Sequence, residues 1–252
     1  MKTIIITGAG TGMGRSTAAL LSEDPQTRLI LISRTKSNLD ETFSLIQHHQ
    51  QHIAEAMDVR DKNAWKQLFS KHSISSIEAV FANAGIGGEN HYGENDRWEE
   101  IISINLNGTY NTIMESLPYL RKSTQSFKHI LITSSCLARF GVPRYTAYCT
   151  AKTGLLGLTR SLAVELGSEK ILVNALCPGW VETDMAKAGI QMLADKLGAD
   201  YTKTFDEQMS IVPLQRISQP EEIAAFVKFL FSDAQTSITG QGLDINNGSY
   251  MI

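Results

Sequence analysis

The sequence predicts a single α/β domain built on a doubly wound parallel sheet. Short apolar runs alternate along the chain with longer amphipathic segments. Each run is continuous rather than alternating, as expected for strands that helices cover on both faces. The runs span residues 3–7, 29–32, 79–82, 130–132 and 171–177. Their alternation with helical segments predicts right-handed crossovers, which bring the strand ends to one ligand crevice.

Length and composition suit one such domain. The chain has 252 residues, of which 42% are hydrophobic and 19% charged, enough to bury a sizeable core. A formal net charge of -3 disfavours a nucleic-acid polymer as the main partner. No apolar run reaches the roughly 18 residues of a membrane span, and a first strand from Thr3 leads us to expect no secretory signal. Cys136, Cys149 and Cys177 form no C-x-x-C pair, so we expect reduced thiols and a cytoplasmic protein.

The first apolar run leads directly into a glycine-rich turn, Thr7-Gly8-Ala9-Gly10-Thr11-Gly12-Met13-Gly14. Glycine permits positive φ and close backbone approach, and the helix that follows offers unpaired N–H groups to a pyrophosphate. The spacing is G-x-x-x-G-x-G, from Gly8, Gly12 and Gly14, because Met13 stands where the G-x-G-x-x-G fingerprint needs glycine. A tight strand-to-helix turn without a ligand is the alternative interpretation.

Tyr148 and Lys152 stand at i and i+4, which puts a phenol and an ammonium on one helix face. A free phenol titrates near pH ~10, and a nearby cation is expected to lower that pKa. A Y-x-x-x-K pair alone usually indicates a solvated helix face. Here Ser134 and Ser135 end a predicted buried strand, thirteen positions before Tyr148 in the case of Ser135. The Ser135 hydroxyl is therefore a candidate to hold a substrate oxygen beside the phenol.

Residues 179–215 interrupt the alternation of strands and helices. The segment follows a predicted strand and carries Met185, Met192, Leu193 and Met209. We expect a small helical lid over the site, within the same domain. Its methionines are either plain core or an adaptable apolar substrate wall.

With these motifs, the chain resembles the short-chain dehydrogenase/reductase family over nearly its whole length. Six motifs occur in that family's order, each weak or moderate alone. They are T-G-x-x-x-G-x-G at residues 7–14, N-A-G at Asn83, Ala84 and Gly85, the active-site asparagine at Asn105, Ser135 with Tyr148 and Lys152, P-G-x-x-x-T from Pro178 to Thr183, and a closing segment from Ile238 to Gly248. The resemblance implies a seven-stranded Rossmann-type sheet.

The resemblance also implies catalytic roles. Tyr148 would exchange a proton with the substrate oxygen, and Lys152 would lower the Tyr148 pKa and bind the nicotinamide ribose. Ser135 would hold the carbonyl or hydroxyl oxygen, and Asn105 would position a water for a proton relay through Lys152. The cofactor-binding residues that it implies are Gly8, Thr11, Gly12, Met13, Gly14, Ser33, Arg34, Asp58, Val59, Asn83, Ala84, Gly85, Tyr148, Lys152, Pro178, Gly179, Val181 and Thr183.

Two positions bear on the adenosine end of the cofactor. Asp58 and Val59 are expected to end the third strand, where an aspartate resembles the family's adenine contact; a cap for the helix near Asp61 is the alternative. The second strand ends in Ser33-Arg34 rather than in the carboxylate typical of NAD sites. A guanidinium grips a 2′-phosphate well, so we predict that NADP(H) is preferred and NAD(H) possible. Alternatively, Arg34 only stacks on the adenine.

The sequence therefore predicts an oxidoreductase that transfers a hydride between NADP(H) and a secondary alcohol or ketone. The alternatives are a non-catalytic NAD(P)-sensing protein and an epimerase or dehydratase of the same superfamily. We expect a small-molecule substrate, no metal, no nucleic acid and no membrane partner. His48, His49 and His52 are interpreted as a solvated helix face rather than a metal site.

We also expect a homotetramer. Leucines from Leu155 to Leu166 form an apolar stripe on the helix that carries Tyr148, and the resemblance implies an interface between such helices. The alternative is that these leucines only cover the sheet.

Overall fold

Seven parallel strands form one sheet at the centre of the molecule. The computed structural model describes residues 1–251. The strands are β1 Lys2–Thr7, β2 Thr27–Ser33, β3 Ile53–Ala56, β4 Ala79–Ala82, β5 Lys128–Thr133, β6 Ile171–Pro178 and β7 Gly242–Ile245. They pair in the order β3-β2-β1-β4-β5-β6-β7, each neighbour parallel. The predicted doubly wound, seven-stranded sheet is confirmed.

Helices cover both faces of this sheet. They are α1 Gly12–Ser22, α2 Lys36–Leu45, α3 Lys62–Lys71, α4 Trp98–Ile102, α5 Gly108–Leu120, α6 Thr146–Leu166, α7 Asp184–Leu197, α8 Tyr201–Ser210 and α9 Pro220–Leu230. Apolar side chains of α1, α2 and α9 pack on one face, together with Ile4 and Ile6 of β1. Those of α3, α5 and α6 pack on the other, together with Ile5. Because both faces are buried, the strands read as continuous apolar runs.

Hydrogen-bonded caps fix the helix starts. Helix α9 begins after Gln219, whose capping box pairs with Glu222. Helix α3 is capped by Asp61, which accepts from the N–H groups of Asn63 and Ala64. The side chain, rather than the motif spacing, decides which backbone N–H is satisfied.

Three sequence interpretations are corrected by the structure. Strand β3 ends at Ala56, so Asp58 and Val59 lie beyond it and not at its end. Leu155, Leu156, Leu162 and Leu166 are buried in the core, so they cover the sheet and do not form an extra apolar stripe. His52 is buried rather than solvated, because its Nδ1 accepts from the Leu29 N–H and its Nε2 donates to the Gln47 carbonyl oxygen.

The strand order reverses between β1 and β4, which lie side by side. From β1 the chain continues through β2 and β3 to one edge of the sheet, and from β4 it continues through β5 and β6 to β7 at the other edge. A crevice opens at such a switch point, beyond the carboxyl ends of the strands. The glycine turn follows β1 and the Asn83 segment follows β4, so both reach this crevice. Among residues 1–251, no helix is long and apolar enough to cross a membrane.

Candidate active site

The glycine turn has the conformation that its glycines allow. Gly8 has φ +65° and Gly12 has φ +51°, both in the left-handed region. A Cβ on Gly8 would lie 2.9 Å from the Cα of Ala84, and one on Gly12 would lie 2.8 Å from Cγ2 of Thr183. A Cβ on Gly14 would collide with the carbonyl oxygen of Gly8. All three motif glycines are therefore required by close packing, and the turn runs directly into the N-terminus of α1.

The Asn83 segment is fastened to the glycine turn at the switch point. The Thr7 hydroxyl accepts from the backbone N–H groups of Asn83 and Ala84, each at 3.0 Å. The Asn83 amide donates to the Thr7 carbonyl oxygen at 3.2 Å and accepts from the Thr133 hydroxyl at 3.0 Å. The Asn83 side chain thus ties together the ends of β1, β4 and β5. These bonds fix the position of the segment that continues through Gly85 relative to the ends of the strands.

Asn105 lies in a π-helical turn, Ser103–Asn107, between α4 and α5. Such turns often occur at functional sites. The buried amide pairs with the backbone of Ile86: Oδ1 accepts from the N–H at 2.8 Å and Nδ2 donates to the carbonyl oxygen at 2.9 Å. A Cβ on Gly85 would lie 2.9 Å from Oδ1 of Asn105 and 3.5 Å from Nζ of Lys152. The backbone at Gly85 therefore lies close to both side chains, and a larger residue there would crowd Asn105.

Tyr148, Lys152 and Ser135 converge as the sequence predicted. The Lys152 ammonium lies 5.5 Å from the centre of the Tyr148 ring and donates to the Thr133 carbonyl oxygen at 2.8 Å. The Ser135 hydroxyl interacts with the Tyr148 hydroxyl and accepts from the Leu137 N–H at 3.1 Å. Ser134 is excluded from this group, because its hydroxyl donates to the Lys152 carbonyl oxygen at 2.8 Å. That bond fixes α6 against the end of β5.

Burial controls the electrostatics of the site. It raises the pKa of Tyr148 to about 12, although the Ser135 hydroxyl acts in the opposite direction. It also lowers the pKa of Lys152 to about 8. The lowered tyrosine pKa expected from the sequence is therefore wrong for this state of the protein. Lys152 is buried and Tyr148 is partly buried, and for each of them desolvation disfavours the charged form.

The adenosine end of the crevice holds the remaining predicted groups. Ser33 lies at the end of β2, and its Oγ stands 2.9 Å from the position of a Cβ on Gly10. Arg34 is exposed, and its charge helps to lower the pKa of Asp58. Arg60 is the larger cause of that lowered pKa, through an ion pair of 2.7 Å between Nη2 and Oδ2. Asp58 is thus held by Arg60, and Asp61 rather than Asp58 caps the next helix.

The segment from Pro178 to Thr183 lies across the crevice from the glycine turn. Pro178 is the last residue of β6, and a Cβ on Gly179 would lie 3.1 Å from the backbone of Asn246. Val181 is buried and bridges to Ser218. Thr183 caps α7 by accepting from the Ala186 N–H at 3.3 Å. The segment thus leads from the end of β6 to the start of α7, and Thr183 lies against Gly12 of the glycine turn.

Helix α7, the first of the two helices in the 179–215 segment, contacts the loop that follows β4. The Met185 side chain lies 3.0 Å from the position of a Cβ on Gly87. Near the other end of α7, Lys196 forms an ion pair with Glu89 of the same loop. Arg144, from the loop after β5, stands 4.0 Å from the same Glu89 oxygen. Glu89 therefore joins three segments at the mouth of the crevice.

Sequence reasoning missed three residues that shape the site. Gly10 makes room for Ser33, and only its position in the glycine turn signals this. Ile86 acts through its backbone on Asn105, so its side chain carries no signal. Asn90 is buried in the loop after β4 and bonds to the start of α6. A polar residue in a loop does not reveal burial of this kind.

Comparison with known proteins agrees with this geometry. The family model described as "Enoyl-(Acyl carrier protein) reductase" matches residues 8–249. The chain is 32% identical over 259 residues to the 3-oxoacyl-(acyl-carrier-protein) reductase FabG of Staphylococcus aureus, covering 99% of this chain and 98% of the relative. It is 31% identical over 256 residues to the Thermotoga maritima FabG, covering 98% and 97%.

Solved structures agree in the fold along almost the whole chain. A variant of actinorhodin polyketide ketoreductase with NADPH has a TM-score of 0.91 and 26% identity, covering 98% of this chain and 97% of that one. Carveol dehydrogenase from Mycobacterium avium in complex with NAD has a TM-score of 0.88 and 28% identity, with the same coverage. With its sheet order, glycine turn and Ser135, Tyr148 and Lys152 cluster, the chain belongs to the short-chain dehydrogenase/reductase family and is an oxidoreductase acting on CH–OH or C=O groups.

Proposed function

We propose that the protein reduces a ketone to a secondary alcohol with NADPH, and catalyses the reverse reaction with NADP⁺. The observation that carries this proposal is the convergence of Tyr148, Ser135 and Lys152 beside Asn105 at the carboxyl ends of β4 and β5. Two hydroxyls that meet in a buried site are suited to bind one carbonyl oxygen. The neighbouring ammonium supplies the positive charge that favours negative charge on that oxygen.

The crevice fits a dinucleotide. The positive φ angles of Gly8 and Gly12, and the lack of a Cβ on Gly14, let the backbone approach a pyrophosphate at the N-terminus of α1. Ala84, Gly85 and the segment from Pro178 to Thr183 would hold the nicotinamide half, and Met13 and Thr11 the phosphates. When bound, the nicotinamide supplies or accepts the hydride.

The protein's own groups would handle the proton. At neutral pH the Tyr148 phenol is protonated, since burial raises its pKa to about 12, so it is a donor to the oxygen of a reduced ketone. Ser135 would hold that oxygen, with the backbone of Leu137 fixing the serine hydroxyl. Lys152 would bind the nicotinamide ribose. Asn105 would position the water of a proton relay to Lys152, since its pairing with Ile86 sets the Gly85 segment beside Lys152.

NADP(H) is the preferred cofactor in this proposal. Ser33 places no carboxylate at the end of β2, so nothing there repels a 2′-phosphate. Arg34 is exposed and makes no hydrogen bond or ion pair within residues 1–251, which leaves its guanidinium available to a phosphate. Asp58 and Val59 would contact the adenine. NAD(H) is the second cofactor in this proposal. Thr11 stands in the glycine turn, where NADP-preferring members of the family often have a second basic residue.

The names of the relatives support a 3-oxoacyl thioester as the first substrate to test. The proposed substrate walls come from the loops after β4 and β5 and from the lid at 179–215. Met185 gives one wall an adaptable apolar surface. A second candidate, reduction of an enoyl C=C bond, is favoured only by the description of the matching family model. An NADP(H)-sensing role is less well supported, because sensing requires no proton donor such as the Tyr148 phenol.

The first experiment follows NADPH absorbance with purified protein and a panel of carbonyl compounds. The panel holds a 3-oxoacyl thioester, a 2-enoyl thioester, a cyclic ketone, a steroid ketone and a sugar-derived ketone. Turnover of ketones without the enoyl thioester supports the proposal. Turnover of the enoyl thioester alone supports the second candidate, and tight NADPH binding without any turnover supports a sensor.

Tyr148→Phe tests the proton donor directly. We expect a loss of turnover of about 10²–10⁴-fold, the usual contribution of general acid–base catalysis, with NADPH affinity nearly unchanged because the ring remains. Tyr119→Phe, in a tyrosine stacked on Phe69 away from the crevice, is the matched control. A Tyr148→Phe variant that kept a tenth of the wild-type kcat would contradict the assignment.

A homotetramer is part of the proposal. The buried leucines of α6 do not support it, but exposed apolar residues remain on the neighbouring helices: Val164 of α6 is 86% exposed and Tyr110 of α5 is 46% exposed. A second copy of the chain would cover them across a two-fold axis. Light scattering at micromolar concentration should give four times the mass of one chain. A monomer would contradict this part of the proposal.

A further inference from the structure

The loop after β4 sends a buried amide to the start of the helix that carries Tyr148. Asn90 is 2% exposed, and its Oδ1 accepts from the Ala147 N–H and the Thr146 hydroxyl, both at 3.0 Å. Its Nδ2 donates to Oδ1 of Asp96 at 3.2 Å, and its backbone N–H donates to the Arg144 carbonyl oxygen at 2.9 Å. Both polar atoms of this side chain therefore have partners.

Helix α6 has no cap from its own sequence. The residue before its first turn, Tyr145, makes no side-chain cap hydrogen bond. The first N–H groups of any helix lack partners within the helix. Asn90 supplies one from a segment that is 57 residues away in the chain. Because Tyr148 directly follows Ala147, fraying of this turn would displace the phenol from Ser135.

We propose that Asn90 is a positioning residue, which holds the first turn of α6 and so keeps the Tyr148 hydroxyl in place beside Ser135. The inference rests on the proposed function for its link to catalysis, but the cap itself does not. A displacement of about 1 Å costs on the order of 10²-fold in rate when reacting groups must be aligned. Asn90 also joins a wall of the crevice to the catalytic helix.

The orientation of the amide matters, because Asn90 accepts from α6 and donates to Asp96. Asp96 in turn accepts from the Trp98 N–H at 2.9 Å and so holds the start of α4. Asn90→Asp keeps an acceptor for α6 but sets two carboxylates against each other. The double variant Asn90→Asp with Asp96→Asn removes this repulsion and offers an amide donor to residue 90. The donor comes at the expense of the Trp98 contact, because one oxygen of Asp96 accepts from both Asn90 and Trp98. If the double variant is more active than Asn90→Asp alone, the loss in the single variant comes from the interaction between residues 90 and 96.

Two readouts test the proposal. In Asn90→Ala we expect kcat to fall about 10- to 100-fold, with the NADPH dissociation constant, measured by fluorescence, changed less than twofold. Hydrogen exchange of residues 146–149 in the protein without cofactor should become at least tenfold faster, while the β1 and β4 amides keep their protection. Asn90→Asp should show the same pattern, and the double variant should recover part of both losses because it removes the repulsion between the two carboxylates. Asn63→Ala, in an exposed asparagine of α3, is the matched control.

The outcomes separate the inference from the proposed function. Unchanged exchange at 146–149 overturns the cap, whatever the enzyme turns over. Faster exchange with kcat within twofold of wild type overturns the positioning role. If no ketone is reduced by the wild type, the proposed function fails, and the exchange result still decides the cap. If Asn90→Ala does not fold, Thr146→Val removes one of the two contacts to α6, and the same exchange measurement applies.

Discussion

Of the two titratable side chains in the catalytic cluster, Lys152 has the pKa closer to neutral pH. Burial lowers its pKa to about 8, whereas burial raises that of Tyr148 to about 12. Ketone reduction uses a protonated phenol and benefits from the ammonium, so its rate should fall as pH rises through about 8. Alcohol oxidation needs the phenolate, so its rate should still rise over the same range. The two directions therefore have opposite pH dependence above neutrality.

The variant Lys152→Arg tests whether Lys152 causes the decline of the reduction rate above pH 8, which is the alkaline limb of the pH profile. A guanidinium stays charged throughout the accessible pH range, so the decline of the reduction rate near pH 8 should disappear or move upward. The absolute rate falls as well, because the fork of a guanidinium does not replace a single ammonium at the Thr133 carbonyl oxygen. An unchanged limb in pH profiles of kcat would show that another group titrates there.

The proposed preference for NADP(H) depends on Arg34 and Ser33. Arg34→Ala should raise the KM for NADPH about tenfold or more and leave that for NADH nearly unchanged, since a charge-assisted hydrogen bond contributes about 1.5–3 kcal/mol. Ser33→Asp should shift the preference toward NADH, through repulsion of the 2′-phosphate and new bonds to the ribose hydroxyls. The measurement is kcat/KM with both cofactors. Equal values in the wild type would reject the phosphate clamp.

Among the elements, α7 is the one whose contacts fit a lid. Its Lys196 pairs with Glu89, a carboxylate that is only 12% exposed. Lys196→Met should weaken closure by up to about 1 kcal/mol, as for other partly exposed ion pairs. We expect the KM for the ketone to rise about two- to fivefold and kcat to stay equal or increase, because lid opening often limits product release.

Added salt should reproduce this effect in the wild type and not in Lys196→Met, because screening weakens the ion pair. Lys187→Met is the matched control: Lys187 is also on α7, but it pairs with Glu182 instead of the loop after β4. If the KM of both variants changed equally, or if neither changed, the contact between Lys196 and Glu89 would have no role in closure.

At the scale of the whole molecule, the sheet contains a buried titratable group far from the crevice. Burial lowers the pKa of His129 to about 4, with the Lys2 charge acting in the same direction and Asp233 opposing it. A histidine with a depressed folded-state pKa favours unfolding once it can protonate, so stability is present above pH 6.5 and is lost as pH falls toward 4. This shift corresponds to roughly 3 kcal/mol.

Denaturant unfolding at pH 7 and pH 4.5 measures this contribution. His129→Gln removes the titration, so its stability should fall less than that of the wild type between the two pH values. Neighbouring carboxylates titrate equally in both proteins and cancel in the difference. An identical pH dependence of the two proteins would show that His129 is accessible to protons in the folded state.

The strands of the sheet could be predicted from the sequence, because burial of both faces leaves continuous apolar runs such as that of β1. The sequence also determined the cluster at the crevice: Gly8, Gly12 and Gly14 can be recognised from spacing, since few residues tolerate their φ angles or close contacts. Tyr148 and Lys152 were predictable because four residues make about one helix turn. Ser135 followed from its place after a buried strand.

The folded structure alone reveals the features that depend on burial and on distant partners. It assigned the leucines of α6 to the sheet, and it raised the Tyr148 pKa where the sequence argument expected a lower one. It also gave the start of α6 a cap from Asn90, and Asp58 a partner in Arg60. The physical reason is that local spacing fixes which face a residue occupies, whereas desolvation and hydrogen-bond pairing depend on chain segments that meet only after folding.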